Sequence, residues 1–156
     1  IHMGTFSKSL ASLGGYMATS KEVAEYVRHK SRPFIFSASI TPASCAFALA
    51  SLRYLEKHPE IVSKLSHISA YARKRFTEKN ISIRMSETPI IPIYTYDTFN
   101  TLEKAKEIYD AGVYVNPVLP PATPATECLL RTSYMASHTE ALIDEAVDII
   151  ASVLNR

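Results

Sequence analysis

"ISIRMSETPIIPIYTYDTFNTLEKAKEIYDAGVYVNPV", residues 81–118, changes its hydrophobic period twice, and those changes decide the fold class. "ISIRM" alternates as a half-buried strand does, and "TPIIPIYTY" is β-branched and aromatic, with two prolines that suit an edge or irregular strand. The two runs predict a hairpin-like β pair. Asn100 can then cap a helix over "TLEKAKEIYDA", with Leu102, Ala105, Ile108 and Tyr109 facing inward and Gly112 as its stop. "VYVNPV" returns to strand character.

On the C-terminal side, "LPPATPAT" is a proline-rich loop and "ECLLRTSYM" another strand. Ser137 and Glu140 stand at capping-box spacing before a helix whose Ile143, Ala146, Val147, Ile150 and Leu154 share one face. On the N-terminal side, Pro59 opens a long helix in which Ile61, Leu65, Ile68, Ala72 and Phe76 recur at helical spacing. The order from there onward, α, β, β, α, β, β, α, predicts an α+β layer arrangement, a small sheet covered by helices on one side.

Residues 1–58 do not hold enough strands for a sheet of their own and read as the tail of another, larger domain, with 59–156 as a small α+β domain. Within the first part, "TSKEVAEYVRHK" predicts a surface helix capped by Thr19 with Glu22 at box spacing, and "FIFSAS" a short strand or extended segment. Thr41 and Pro42 supply a cap and first position for "ASCAFALASLRYLEK", which is apolar enough to predict a buried helix.

The chain has 17 Lys and Arg against 15 Asp and Glu, a net charge of +2, and no electrostatic footprint for nucleic acid. Its most basic run, "YARKRFTEK" at residues 71–79, reads as a solvated helix face. Cys45 and Cys128, both in apolar segments, read as buried thiols of a reducing compartment. No apolar run reaches the roughly 18 residues of a spanning helix and no leader opens the chain, so a cytoplasmic protein is expected. The five histidines show no metal-ligand spacing, and no metal site is expected.

"GTFSKSLASLGGY", residues 4–16, places Lys8 between hydroxyl residues and a Gly-Gly pair. Thr5 and Ser7 are able to offer hydroxyls to a phosphate, and glycines permit close backbone approach. By residue type alone this is more often the description of an ordinary loop lysine, and Arg131 more often that of a strand arginine in a surface salt bridge.

The whole string is more specific. "MGTFSKSLASLGGY" resembles the pyridoxal-phosphate lysine segment of the α-oxoamine synthases, and the likeness continues in family order. "RPFIFSASITPA", "ETPIIPI", "GVYVNPVLPPATP" and "LLRTSYMASHT" are each similar to family segments, and the "YVNPVLPPA" and "MASHT" wording is most similar to the bacterial serine palmitoyltransferase branch. The resemblance implies the C-terminal portion of a fold-type-I pyridoxal-phosphate transferase. It implies that Lys8 holds the cofactor covalently, that Thr5 bonds its phosphate, and that Ser37 and Ser39 reach the phosphate of a neighbouring subunit's cofactor in a homodimer with a shared active site. Arg131 would grip an amino-acid carboxylate. The implied reaction is a decarboxylative condensation of an amino acid with an acyl thioester, carried by coenzyme A or a carrier protein. Glycine C-acetyltransferase and 8-amino-7-oxononanoate synthase chemistries are the alternatives within the family. A non-catalytic dimerisation or interaction module, or a fold-type-I aminotransferase, are those outside it. The family's glycine-containing phosphate loop, ring-stacking histidine and pyridine-pairing aspartate precede the lysine. The chain is therefore expected to be a piece of a longer enzyme and inactive alone.

Overall fold

Around Lys8 the chain doubles back on itself: β1 (His2–Thr5) and β2 (Gly15–Ala18) pair antiparallel, with Thr5 opposite Gly15. The computed structural model describes all of residues 1–156, in two units, Ile1–Pro59 and Glu60–Arg156. No helix is long and apolar enough to cross a membrane.

In the first unit the hairpin leads into α1 (Lys21–Lys30), then a single turn α2 (Arg32–Ile35), then α3 (Pro42–Lys57). The cap of α1 is Ser20, whose hydroxyl accepts from the Val23 amide, rather than the expected Thr19. "FIF" is not a strand: Pro33 sits in the first turn of α2, and the Ile35 and Phe36 amides donate to the carbonyls of Ser31 and Arg32. Thr41 caps α3 as its sequence predicts, accepting from the Ser44 amide at 3.2 Å. That helix is not buried within these residues; Ala48 alone is enclosed, while Phe47, Leu49 and Leu52 are exposed. Cys45 on α3 is likewise exposed, against expectation, and Cys128 is buried; both are free thiols.

The second unit carries the core. It runs α4 (Glu60–Glu78), β3 (Ile90–Tyr96), α5 (Thr98–Asp110), β4 (Asn116–Val118), β5 (Cys128–Ser133) and α6 (Glu140–Leu154). The three strands form an antiparallel sheet in the order β3-β5-β4. The proline-bearing β3 is an edge strand of that sheet, as Pro92 requires, since it has no amide to donate. "ISIRM" contributes a single bridge, Ile83 to Ile93, to its outer side rather than a full strand. One face of the sheet presents Ile91, Ile93 and Leu130 to Phe76 of α4, Ile108 of α5 and Val147 of α6, all 0–1% exposed. The helices thus cover one side of a small sheet, the α+β arrangement that the sequence predicts.

Two helices are set differently from their expected register. Asp97, not Asn100, caps α5, and the buried face of that helix is Thr101, Ala105 and Ile108, leaving Leu102 and Tyr109 exposed. Thr101 is at home in the core because its hydroxyl donates to the Asp97 carbonyl and bonds Thr95 Oγ1 at 2.6 Å. Thr139, not Ser137, caps α6, accepting from the Leu142 amide.

The basic run at the end of α4 is not merely a wet face. Arg75 Nε donates to Asp144 of α6 at 2.6 Å, Tyr71 donates to the same carboxylate, and Lys79 pairs with Asp148 at 2.7 Å. The Arg75 guanidinium foremost, then the Tyr71 hydroxyl, holds the Asp144 carboxyl below its ordinary value of 3.8. A depressed carboxyl stabilises the fold above its unfolded pKa and loses that contribution as pH falls through the folded pKa. Asp144→Asn is therefore expected to lower the urea midpoint by a constant amount from neutral pH down to about pH 5, with the deficit closing below pH 3.8. A deficit unchanged at pH 3 would remove Asp144 from this role.

Candidate active site

Lys8 lies in the loop between β1 and β2, and that loop is tightly built. The Phe6 amide donates to the Gly14 carbonyl and the Ser12 amide to the Phe6 carbonyl, both at 2.9 Å, while the Ala11 amide closes a turn on the Lys8 carbonyl at 3.1 Å. Ser12 also donates its hydroxyl to the Ser44 carbonyl at 2.7 Å, which pins the loop to the start of α3. The backbone on either side of Lys8 is thus fixed, while its side chain is exposed. Ser7 donates to Thr5 Oγ1 at 3.3 Å, so two hydroxyls stand next to one another on the N-terminal side of the amine.

The two glycines after the loop are required by geometry. Gly14 has φ +97°, and a Cβ there would stand 2.7 Å from Ile40 Cγ2; a Cβ on Gly15 would stand 2.6 Å from the Gly4 carbonyl oxygen. Gly14→Ala is expected to cost more than about 1 kcal/mol, because it adds left-handed strain to a steric conflict. Denaturant unfolding of the full-length protein checks this, and an unshifted midpoint would show that the loop relaxes freely.

Ser37 and Ser39 lie in the irregular segment between α2 and α3 and are exposed. No hydrogen bond joins either of them to the Thr5–Ser7 pair or to Lys8; Thr5 ends β1 and Lys8 follows it in the same hairpin.

Arg131 belongs to the second unit, in the middle of the central strand β5, opposite Pro92 of β3 and Asn116 of β4. It is exposed on the face of the sheet that the helices leave open. Its neighbours in sequence anchor the strand from the other face. Thr132 donates to the Ile91 carbonyl at 2.9 Å, so the half-buried Tyr134 must donate its hydroxyl to Thr132 Oγ1 at 3.0 Å. Burial pushes the Tyr134 phenol up to about 12, which keeps it a neutral donor. His138 Nδ1 accepts from the Met135 amide at 3.3 Å while its own amide donates back to the Met135 carbonyl, so it closes the turn that leads into α6.

The salt bridge that would make Arg131 an ordinary strand arginine is not there. Its one hydrogen bond goes from Nη2 to Asn116 Oδ1 at 3.4 Å. Sequence reasoning did not single out Asn116, nor Tyr114, whose hydroxyl accepts from Asn116 Nδ2 at 3.0 Å. Alternation along "YVN" puts those two residues on one face, but only the pairing of β4 with β5 sets them beside Arg131.

Comparison with known proteins agrees across nearly the whole chain. Serine palmitoyltransferase of Bacteroides ovatus is 46% identical over 146 residues, covering 94% of this chain and 37% of the relative. An 8-amino-7-oxononanoate synthase of Bacillus subtilis is 34% identical, covering 96% and 38%. A solved structure of SPT with the PLP internal aldimine superposes with a TM-score of 0.88 at 30% identity, covering 98% of this chain and 39% of that one. The chain thus spans about two fifths of the length of the curated relatives it matches. The family model for aminotransferase class I and II matches residues 1–150, and the chain belongs to that family.

Proposed function

We propose that this chain is part of a pyridoxal-phosphate-dependent acyltransferase that condenses an amino acid with a long-chain acyl thioester and releases carbon dioxide, as serine palmitoyltransferase does. Residues 1–58 would be the tail of its large cofactor-binding domain and 59–156 its small C-terminal domain. The observation that carries this reading is the exposed Lys8 side chain on a backbone held by the loop bonds, with the paired Thr5 and Ser7 hydroxyls just before it in the chain.

The donor set fits pyridoxal phosphate. A primary amine forms a Schiff base with an aldehyde, hydroxyls bind a phosphate, and a guanidinium unengaged by any carboxylate binds an amino acid's carboxylate through two parallel hydrogen bonds. Lys8 would hold the cofactor covalently and Thr5 its phosphate, with Ser37 and Ser39 serving the cofactor of a second subunit in a homodimer. Once bound, pyridoxal phosphate supplies an electron sink for bonds broken at the amino acid's α-carbon. The chain's own part is orientation and proton handling. Arg131 holds the carboxylate and so selects which α-carbon bond is presented, and the Lys8 amine, when not covalently engaged, takes and returns a proton there. The two free thiols favour a reducing, cytoplasmic setting.

The test is release of labelled carbon dioxide from carboxyl-labelled serine, glycine or alanine by the full-length protein, with palmitoyl-CoA or a pimeloyl thioester as acyl donor. Release with serine that depends on palmitoyl-CoA is expected. Release with alanine and the pimeloyl donor alone would move the reading to 8-amino-7-oxononanoate synthase. Keto acid without carbon dioxide would mark an aminotransferase and end the proposal.

A further inference from the structure

We propose that Asn116 is a positioning residue for Arg131, holding its guanidinium in place without neutralising it, and that Tyr114 fixes the sense of the Asn116 amide. This rests on the reading that Arg131 receives the substrate carboxylate.

Asn116 and Arg131 are directly opposed across the β4–β5 ladder, so their side chains rise from the same face of the sheet as neighbours. On the other flank stands Pro92, whose side chain has no polar atom and whose carbonyl already accepts from the Arg84 amide at 2.9 Å. Asn116 is therefore the residue that sets the direction of the guanidinium. A guanidinium has donors and no acceptor, so the amide must present Oδ1 to it. Its Nδ2 then points away, to the Tyr114 hydroxyl at 3.0 Å, and that bond resists a flip of the amide. At 3.4 Å the contact with Arg131 is long, which biases the guanidinium's orientation while leaving its remaining N–H donors for a ligand.

The choice of an amide is the informative part. An aspartate has nearly the same shape, but its charge would form the ion pair that Arg131 lacks and would compete with an incoming carboxylate. Asn116 supplies direction with no charge.

The experiment is calorimetric binding of L-serine and of L-serinamide, which lacks the carboxylate, to the full-length holoenzyme and three variants. Asn116→Ala is expected to weaken L-serine about tenfold, the size of one hydrogen bond to a charged group, and to leave L-serinamide unchanged. Asn116→Asp is expected to weaken L-serine more, about a hundredfold, again sparing L-serinamide. Equal losses for both ligands would mean a merely structural residue, and wild-type binding of L-serine by Asn116→Asp would mean that the residue does not face the carboxylate; either overturns the proposal. Arg131→Leu reads the underlying assumption separately. Should it bind L-serine as the wild type does, the carboxylate reading of Arg131 fails, whatever the Asn116 variants do.

Discussion

Lys8→Ala in the full-length protein will lose both covalent cofactor capture and turnover, the latter by at least about a thousandfold, in the range expected when a covalent and proton-transferring group is removed. Borohydride reduction in the presence of pyridoxal phosphate should add one reduced cofactor to the wild-type peptide containing residue 8 and none to the variant. Lys8→Arg separates charge from chemistry. A guanidinium keeps the positive charge but stays protonated, so it forms no Schiff base, and Lys8→Arg should fail as completely as alanine. Lys21→Ala, at the start of α1, serves as the control that leaves capture intact. Capture persisting in Lys8→Ala at another lysine would remove Lys8 from the centre of the reaction. It would return the β1–β2 loop to the ordinary surface loop that its composition alone allows.

The loop around Lys8 carries its information locally, in consecutive residues, which is why a resemblance can be read there without the fold. The same holds for α4, α6, β3 and β5, where period and partner coincide. Failures cluster where neighbours compete. Thr19 and Ser20, Ser137 and Thr139, and Asp97 and Asn100 are each pairs of capable caps, and local spacing does not say which oxygen meets the free amides. On α5 the apolar stripe through Leu102 and Tyr109 lost to one through Thr101, because hydroxyl bonding to Thr95 and Asp97 makes a threonine acceptable in the core. The Tyr114–Asn116–Arg131 relay depends on β4 and β5 meeting in one particular register across the proline-rich loop, a non-local fact that no single window contains.

The second large effect concerns where stability resides. Residues 60–156 expressed by themselves will fold and unfold cooperatively, whereas residues 1–59 by themselves will show no cooperative transition. The physical reason is burial. In the first unit Ala48 is the one enclosed hydrophobic residue, and Phe34, Phe36, Phe47 and Leu13 are each more than 60% exposed. Burial of that kind does not offset the ordering entropy of about 1–2 kcal/mol for each residue's backbone. The second unit encloses Phe76, Ile91, Ile93, Ile108 and Leu130 completely, each at 0% exposure, and ties α4 to α6 through Asp144. A domain of this size is stable by about 5–15 kcal/mol, and Phe76→Ala, which opens a cavity among α4, α6 and the sheet, should remove about 3–5 of that. With a urea dependence of about 1–3 kcal/mol per molar, the midpoint would fall by roughly 2 M. Hydrogen exchange on residues 1–156 by themselves should agree, with the β3 and β5 amides slowest and those of the first unit, the hydrogen-bonded β1–β2 hairpin included, faster because no enclosed core backs them. A gradual, non-sigmoidal melt of residues 60–156 would show that the core around Phe76 does not stand alone. The first unit would then not be the only part of the chain without a self-sufficient core.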